Sequence, residues 1–192
     1  MPNISLYAPV TFGTLEDAIT LSTLAKSPFA IRYANSTEQE RIKREFFPDG
    51  DLKIRPIRSN FTKDNIPEYV FISYGNITGS VLLTQDILKE KGYSVGCILV
   101  EQIKPYEPTV DDIFELVKNS KHLMYVEEGI KNGGAAMITG DILMRLGFVG
   151  EGHSFVPYAI DDTFVVPDEK CDIYEYAGFS AERLADKMIE EK

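Results

Sequence analysis

The apolar run Leu123-Met-Tyr-Val126 passes straight into two carboxylates, Glu127 and Glu128. A glycine-rich turn comes next, Gly129 and Asn132-Gly133-Gly134, and opens a helical pattern. A strand that ends on a tight turn and continues as a helix must be crossed back over its sheet, which restricts the chain to layered α/β arrangements. The same rhythm runs from Tyr69 onward. Strands are predicted at 69–74, 94–101, 122–126 and 154–160, alternating with helices near 78–91, 110–119 and 134–146. Gly92 and Gly147 fall where helices should stop, because glycine takes the left-handed conformation that closes a helix. Thr109 is a candidate cap for the helix carrying Asp111 and Asp112 in its first turn. Ser180 is expected to cap the last helix, with Phe179 and Leu184 placed as a hydrophobic staple. These strands read as buried on both sides, so the predicted fold class is α/β: a mainly parallel open sheet with helices on both faces.

Upstream the pattern is different. Residues 1–34 read as a β-α-β unit: a strand at 4–8, a helix that Thr14 can cap, and a strand at 29–33. Taken alone, this unit has no sheet to join; it either pairs with the domain downstream or is the remnant of another. Residues 35–68 lose periodicity around Ser36, Pro48, Gly50, Asn60 and Asp64, and read as a connector with a helix at 37–46 and an edge strand at 52–57. So long a connector points to a domain boundary. The expected organisation is 1–34, 35–68 and 69–192.

A net charge of −10 disfavours nucleic acid and anionic membranes as partners. The one basic cluster, Arg41 to Arg44, is interleaved with Glu38, Glu40 and Glu45 and reads as a solvated surface. No apolar run approaches the roughly 20 residues that span a bilayer. Cys97 and Cys171 lack close-spaced partners; Cys97 lies in the apolar run 95–100 and reads as a core residue. No basic-then-apolar leader is read at the amino end. A soluble, cytoplasmic protein is expected.

Glu127 and Glu128 stand at the carboxyl end of a strand, where open α/β sheets usually place ligands. One of them could be a general acid or base, or a metal ligand. Neighbours on an extended chain point to opposite faces, so a carboxylate dyad is disfavoured. Finishing the strand and accepting hydrogen bonds from turn amides is the favoured reading. Gly129, Gly133 and Gly134 precede a helix whose amino end could hold an anion, but they match neither the dinucleotide fingerprint nor the P-loop. Close packing of helix on sheet is the favoured reason for them. His122 and His153 have no partners at triad spacing, and Asp161-Asp162 with Asp168-Glu169 lack the ligand spacing of a calcium loop. No catalytic residue and no metal site is assigned.

In order along the chain, Ala30-Ile-Arg-Tyr33, Ile72-Ser-Tyr-Gly75, Val100-Glu-Gln-Ile-Lys-Pro105, Val126-Glu-Glu-Gly129 and Asp162-Thr-Phe-Val165 resemble the late segments of transketolase-like thiamine diphosphate enzymes. The similarity is greatest to the 1-deoxyxylulose-5-phosphate synthases and covers nearly the whole chain. It implies that 1–34 is the end of a pyrimidine-binding domain and 69–192 a transketolase C-terminal domain, which supports dimerisation. It also implies that Arg32 and Asn35 lie where the family contacts substrate. Asn35 stands in place of an arginine that helps bind the acceptor's phosphate, and an amide lacks that charge and fork. Glu101 stands where the family has another arginine.

The resemblance further implies an activity that decarboxylates pyruvate and joins the two-carbon unit to glyceraldehyde 3-phosphate. Thiamine diphosphate and Mg would be held by upstream domains or a companion chain, and these residues alone would bind no cofactor and be inactive. They would supply a homodimer surface and one wall of the substrate channel. Two alternatives stay open: a stand-alone ligand-binding or assembly module of this fold, with a ligand near 129–134, and a fragment of a 2-oxo acid dehydrogenase beta subunit.

Overall fold

The computed structural model describes residues 3–34, 37–150, 152–165 and 173–190. Its central layer is a five-stranded sheet of β3 (Ile57–Ser59), β5 (Val95–Val100), β4 (Tyr69–Ser73), β7 (His122–Ile130) and β8 (Ser154–Ile160), in that spatial order. All neighbours are parallel except β3, which runs antiparallel to β5. β4 and β5 are buried at every position, which explains why they read as unbroken apolar runs.

The period-two alternation of these strands sorts their side chains onto two cores. Val70, Ile72, Ile98, Val100, Leu123 and Tyr125 pack with Val110, Ile113 and Val117 of α4 (Tyr106–Val117) and Ala136 and Leu143 of α5 (Ala135–Arg145). Phe71, Cys97, Leu99, Met124 and Val126 pack on the other face. Their partners are α2 (Glu40–Phe46), α3 (Thr78–Glu90) and α7 (Ala181–Glu190), through Ile42, Val81, Leu82, Leu184 and Met188. Burying one such aliphatic side chain contributes about 1.5–3 kcal/mol, so the two apolar layers carry the fold. Burial also pushes the Cys97 thiol up to about 12, leaving it inert.

The amino-terminal unit does find a sheet. β1 (Ser5–Tyr7) pairs in parallel with β2 (Phe29–Ile31) and antiparallel with β6 (Gln102–Lys104), which directly follows β5. α1 (Phe12–Leu24) joins β1 to β2, and Asp17 accepts from the Ile54 amide at 2.8 Å. Glu38 accepts from the Phe12 amide, also at 2.8 Å.

Several local expectations are corrected. Thr11, not Thr14, caps α1; Thr14 is its reciprocal partner in a capping box. α4 begins at Tyr106 after Pro105, a residue suited to the entry of a helix. Thr109 lies inside the helix, with its hydroxyl donating back to the Gln102 and Pro105 carbonyls. The edge strand of the connector is at Ile57–Ser59 rather than 52–57. Arg41 is half-buried and bonded to the Leu82 carbonyl and Asp86, so its cluster is more than a solvated surface.

Gly92 and Gly147 have φ of +86° and +78° just past their helices, and Phe179 and Leu184 are buried beside Ser180 as expected for the staple. A short helix, α6 (Ile173–Tyr176), precedes α7. Cys171, Asp168 and Glu169 lie outside the described residues.

Candidate functional site

The chain runs from β4 through α3 to β5 on one side, then returns through α4 to β7 on the other side of β4. The winding therefore reverses between β4 and β7, and α3 and α4 cover opposite faces. Helices that leave in opposite directions open a crevice beyond the carboxyl ends of those two strands, which is where open α/β sheets bind ligands. A cleft of about 240 Å³ lies at this point. Tyr74, Glu127, Gly129, Gly133 and Gly134 line it from the main sheet, Tyr106 from α4, and Leu6 and Arg32 from the small sheet.

Glu127 is 1% exposed. Its Oε2 accepts from the Tyr74 hydroxyl at 3.0 Å and the Ala135 amide at 3.1 Å, and its Oε1 accepts from the Ala136 amide at 3.0 Å. The two amides are the free donors at the start of α5, so this carboxylate holds the position an external anion would take. A Cβ on Gly134 would stand 2.1 Å from Glu127 Oε1. Gly134 is thus needed where the start of α5 closes on Glu127 and the Ile130 carbonyl of β7, whereas Gly133 has open space around it and a φ of +79°. Burial, followed by the charge of Glu127, pushes the Tyr74 phenol far above its usual range, so it stays protonated and donates. Tyr106 is shifted upward by the same two causes in the same order.

Glu128 turns the other way, as alternation in a strand requires. It accepts from Tyr174 of α6 at 2.7 Å and from Arg32 at 3.3 Å. The Arg32 guanidinium also lies 4.9 Å from the centre of the Tyr74 ring. Arg32, Glu127, Gly129, Gly133 and Gly134 thus line one cleft, Glu128 reaches it only through Arg32, and Asn35 lies outside the described residues. Both glutamates sit within β7, which continues to Ile130.

Sequence reasoning missed Tyr74, Tyr106 and Tyr174. The available signal was a tyrosine just beyond an apolar strand and before a glycine, at Tyr74-Gly75. It also missed the buried pair Arg58–Glu101, at 2.7 Å between Nε and Oε2. The histidines have structural partners: His122 Nδ1 lies 2.9 Å from Ser154 Oγ, and His153 Nδ1 2.9 Å from the Ser120 carbonyl oxygen.

A diphosphate with magnesium does not fit this cleft. The helix end that would receive the diphosphate is filled by Glu127. Among the described residues no three His, Cys, Asp or Glu side chains gather to hold a metal. The cleft thus presents a carboxylate held by three donors, a protonated phenol and an arginine at its mouth. No helix among the described residues is long and apolar enough to cross a membrane.

The profile of the family described as "Transketolase, C-terminal domain" matches residues 62–184. The chain is 24% identical to the 1-deoxy-D-xylulose-5-phosphate synthase of Dictyoglomus thermophilum, over 98% of this chain and 29% of that protein. It is 25% identical to the Helicobacter pylori protein of the same name, over 100% of this chain and 29% of that one. The chain therefore spans under a third of the length of these curated relatives. Two solved structures share the fold. One, titled as an inactive beta4 tetramer of a split-gene transketolase, superposes with a TM-score of 0.76 at 16% identity, covering all of this chain and 58% of its own. The other, a transketolase from Campylobacter jejuni, gives 0.65 at 15% identity, covering 99% of this chain and 26% of its own.

Proposed function

Because the chain belongs to the transketolase C-terminal-domain family, we propose that it serves as the C-terminal portion of a thiamine diphosphate-dependent transferase of the 1-deoxyxylulose-5-phosphate synthase type. The observation that carries this reading is the alignment with those synthases over 98–100% of the chain. The cofactor and its magnesium would be held outside these residues, by the remainder of one polypeptide or by a companion chain. When bound there, the cofactor supplies the carbanion chemistry that splits CO2 from pyruvate.

The contribution of these residues is positional. They offer a dimer surface, and the cleft between β4 and β7 forms part of one wall of the substrate channel. Arg32 and Tyr74 are the groups that orient what passes. The self-capped end of α5 argues that this wall does not seat the acceptor's phosphate, since Glu127 already neutralises that helix end.

The test is CO2 release from pyruvate in the presence of glyceraldehyde 3-phosphate, thiamine diphosphate and Mg2+. No turnover is expected from the purified 192-residue chain, and turnover is expected when the chain is assembled with its cofactor-bearing portion. Turnover by the chain alone would overturn the division of labour. An assembly that accepts a ketose phosphate as donor but not pyruvate would overturn the synthase reading and leave a transketolase-type transferase.

A further inference from the structure

Another groove, larger than the cleft between β4 and β7, runs along β8. It has a volume of about 600 Å³ and lies between Tyr158 and Ile160 of β8, Lys131 just past β7, and Gly178, Arg183 and Lys187 at the approach and flank of α7. That is the size of a small-molecule site. Among the described residues, none lines both this groove and the cleft. Pro157, midway along β8, has no N–H to offer a further strand, so the groove suits a small molecule better than an extended chain.

Charge is sorted around it. Among the described residues, three cations line the groove, Lys131, Arg183 and Lys187, against one carboxylate, Asp161. The chain as a whole carries a net charge of −10. Arg183 and Lys187 are one helical turn apart on α7, where like charges repel. The acids of the same helix, Glu182, Asp186 and Glu190, do not line the groove, and Asp186 turns instead to Lys91 past the end of α3, 3.8 Å away. Lys131 and Arg183 form no ion pair among the described residues. An excess of positive charge gathered in one groove of an acidic protein is relieved when an anion binds.

The wall of the groove is fixed. The Tyr158 hydroxyl donates to the Gly178 carbonyl at 2.7 Å, and its ring meets Phe179 edge-on at 5.6 Å. Gly178 has a φ of +87°, and a Cβ there would stand 3.4 Å from the Tyr158 hydroxyl and 3.6 Å from Arg183 Nη1. The guanidinium thus stands beside an anchored tyrosine. Tyr176 and Phe164, 50% and 94% exposed, add two bare aromatic rings to the lining. Flat rings beside cations are the groups that hold a planar ring bearing an anionic group.

We propose that this groove binds a phosphorylated small molecule with a planar ring, its phosphate taken by Arg183, Lys131 and Lys187 and its ring by Tyr176 and Phe164. A phosphate monoester carries a charge of about −2 near neutrality, which matches the excess in the groove, and the fork of Arg183 fits its oxygens. Binding here requires neither the cofactor nor an assembly, so it stands apart from the function proposed above.

Isothermal titration calorimetry of the 192-residue chain with adenosine diphosphate, adenosine and inorganic phosphate, all without magnesium, provides the test. Adenosine diphosphate is expected to bind, and each of its two parts to bind about tenfold more weakly or worse. Arg183→Gln should weaken adenosine diphosphate about tenfold. Lys131→Gln, on a different element, should show a loss of the same kind, and Tyr176→Ala a smaller one. Lys118→Gln, an exposed cation at the end of α4, should leave binding unchanged. No binding of adenosine diphosphate overturns the site. So does binding that survives both Arg183→Gln and Lys131→Gln, or that falls equally with Lys118→Gln, the mark of nonspecific attraction. Inorganic phosphate binding as tightly as adenosine diphosphate overturns the ring contact and the ligand class with it.

Discussion

At the scale of single residues, two buried glutamates take opposite routes to the same problem. Glu127 is surrounded by three donors. Truncating it in Glu127→Ala strands two helix-end amides and the Tyr74 hydroxyl, at an expected loss of about 3 kcal/mol in denaturant unfolding. Gly134→Ala should be of similar severity, because its Cβ would meet Glu127 Oε1 at 2.1 Å and the Ile130 carbonyl at 2.7 Å. In a double-mutant cycle the second substitution should hurt less once the carboxylate is gone, leaving the part due to Ile130.

Glu101 is less well served. Its Oε2 meets Arg58 at 2.7 Å and the Arg55 amide at 3.3 Å, but its Oε1 has no hydrogen-bond partner among the described residues. Burial raises its carboxyl above the usual range in spite of Arg58. A carboxyl raised by folding contributes stability that is complete below its unfolded value, near about 4.3. That contribution is lost as pH rises through the folded value. Glu101→Gln should therefore gain on the wild type as pH climbs from about 4 toward neutrality, measured by denaturation at each pH. Glu101→Ala, which leaves Arg58 buried and unpaired, should instead cost about 3–5 kcal/mol. The carboxylates of Glu127 and Glu128 were readable because they follow an apolar run. Arg58–Glu101 was not, since the partners are 43 residues apart and nothing local marks either as buried.

At the scale of elements, legibility followed the length and apolar continuity of the run. β4, β5 and β8 were readable within a residue or two because their apolar stretches are continuous and end on turn residues. β6 was invisible: three residues, Gln102–Lys104, with two polar side chains, form a strand only because β1 arrives from about a hundred residues away. Helix starts misled where two threonines competed. Thr11 and Thr14 both belong to the α1 cap, with Thr11 Oγ1 accepting from the Thr14 amide at 3.1 Å and Thr14 Oγ1 from the Thr11 amide at 3.2 Å. Each threonine to alanine change should cost about 1 kcal/mol. The double variant should cost less than the sum, because breaking one half already frees the other. The β8 edge offers a sharper test of element design. The Ser154 amide and the Ile160 carbonyl bond to Lys121 and Lys131 at the two ends of β7, so the backbones of Phe155, Pro157 and Ala159 face away from it; Pro157→Val adds an outward N–H there and should produce concentration-dependent self-association in sedimentation. The wild-type β8 edge should remain unpaired.

At the scale of the whole molecule, the two sheets differ in what holds them. The five-stranded sheet is clamped between two apolar layers, with Val70, Phe71, Ile72, Cys97, Ile98, Leu99, Leu123, Met124 and Val126 all at 0% exposure. The three-stranded sheet has no residue of β1 or β2 in the fully buried class, and α1 buries only Thr14 and Ala18. Leu6, Ala8 and Val10 pack on the two main cores, and the rest of the attachment of β1, α1 and β2 is polar: Asp17 to the Ile54 amide, Glu38 to the Phe12 amide, Arg32 to Glu128, and the Ala8 amide to the Glu101 carbonyl at 2.8 Å. Contacts of this kind contribute about 1 kcal/mol each, whereas every strand pair of the main sheet also buries aliphatic area on both faces. Opening of the β1-α1-β2 unit should therefore precede global unfolding. Native-state hydrogen exchange under mild denaturant should place the α1 and β1 amides in one low-energy class and those of β4, β5 and β7 in a class equal to the global stability. Asp17→Ala should lower the first class by about 1 kcal/mol and leave the second unmoved. A single class for all these amides would mean that the small sheet is bound into the core more tightly than its burial allows.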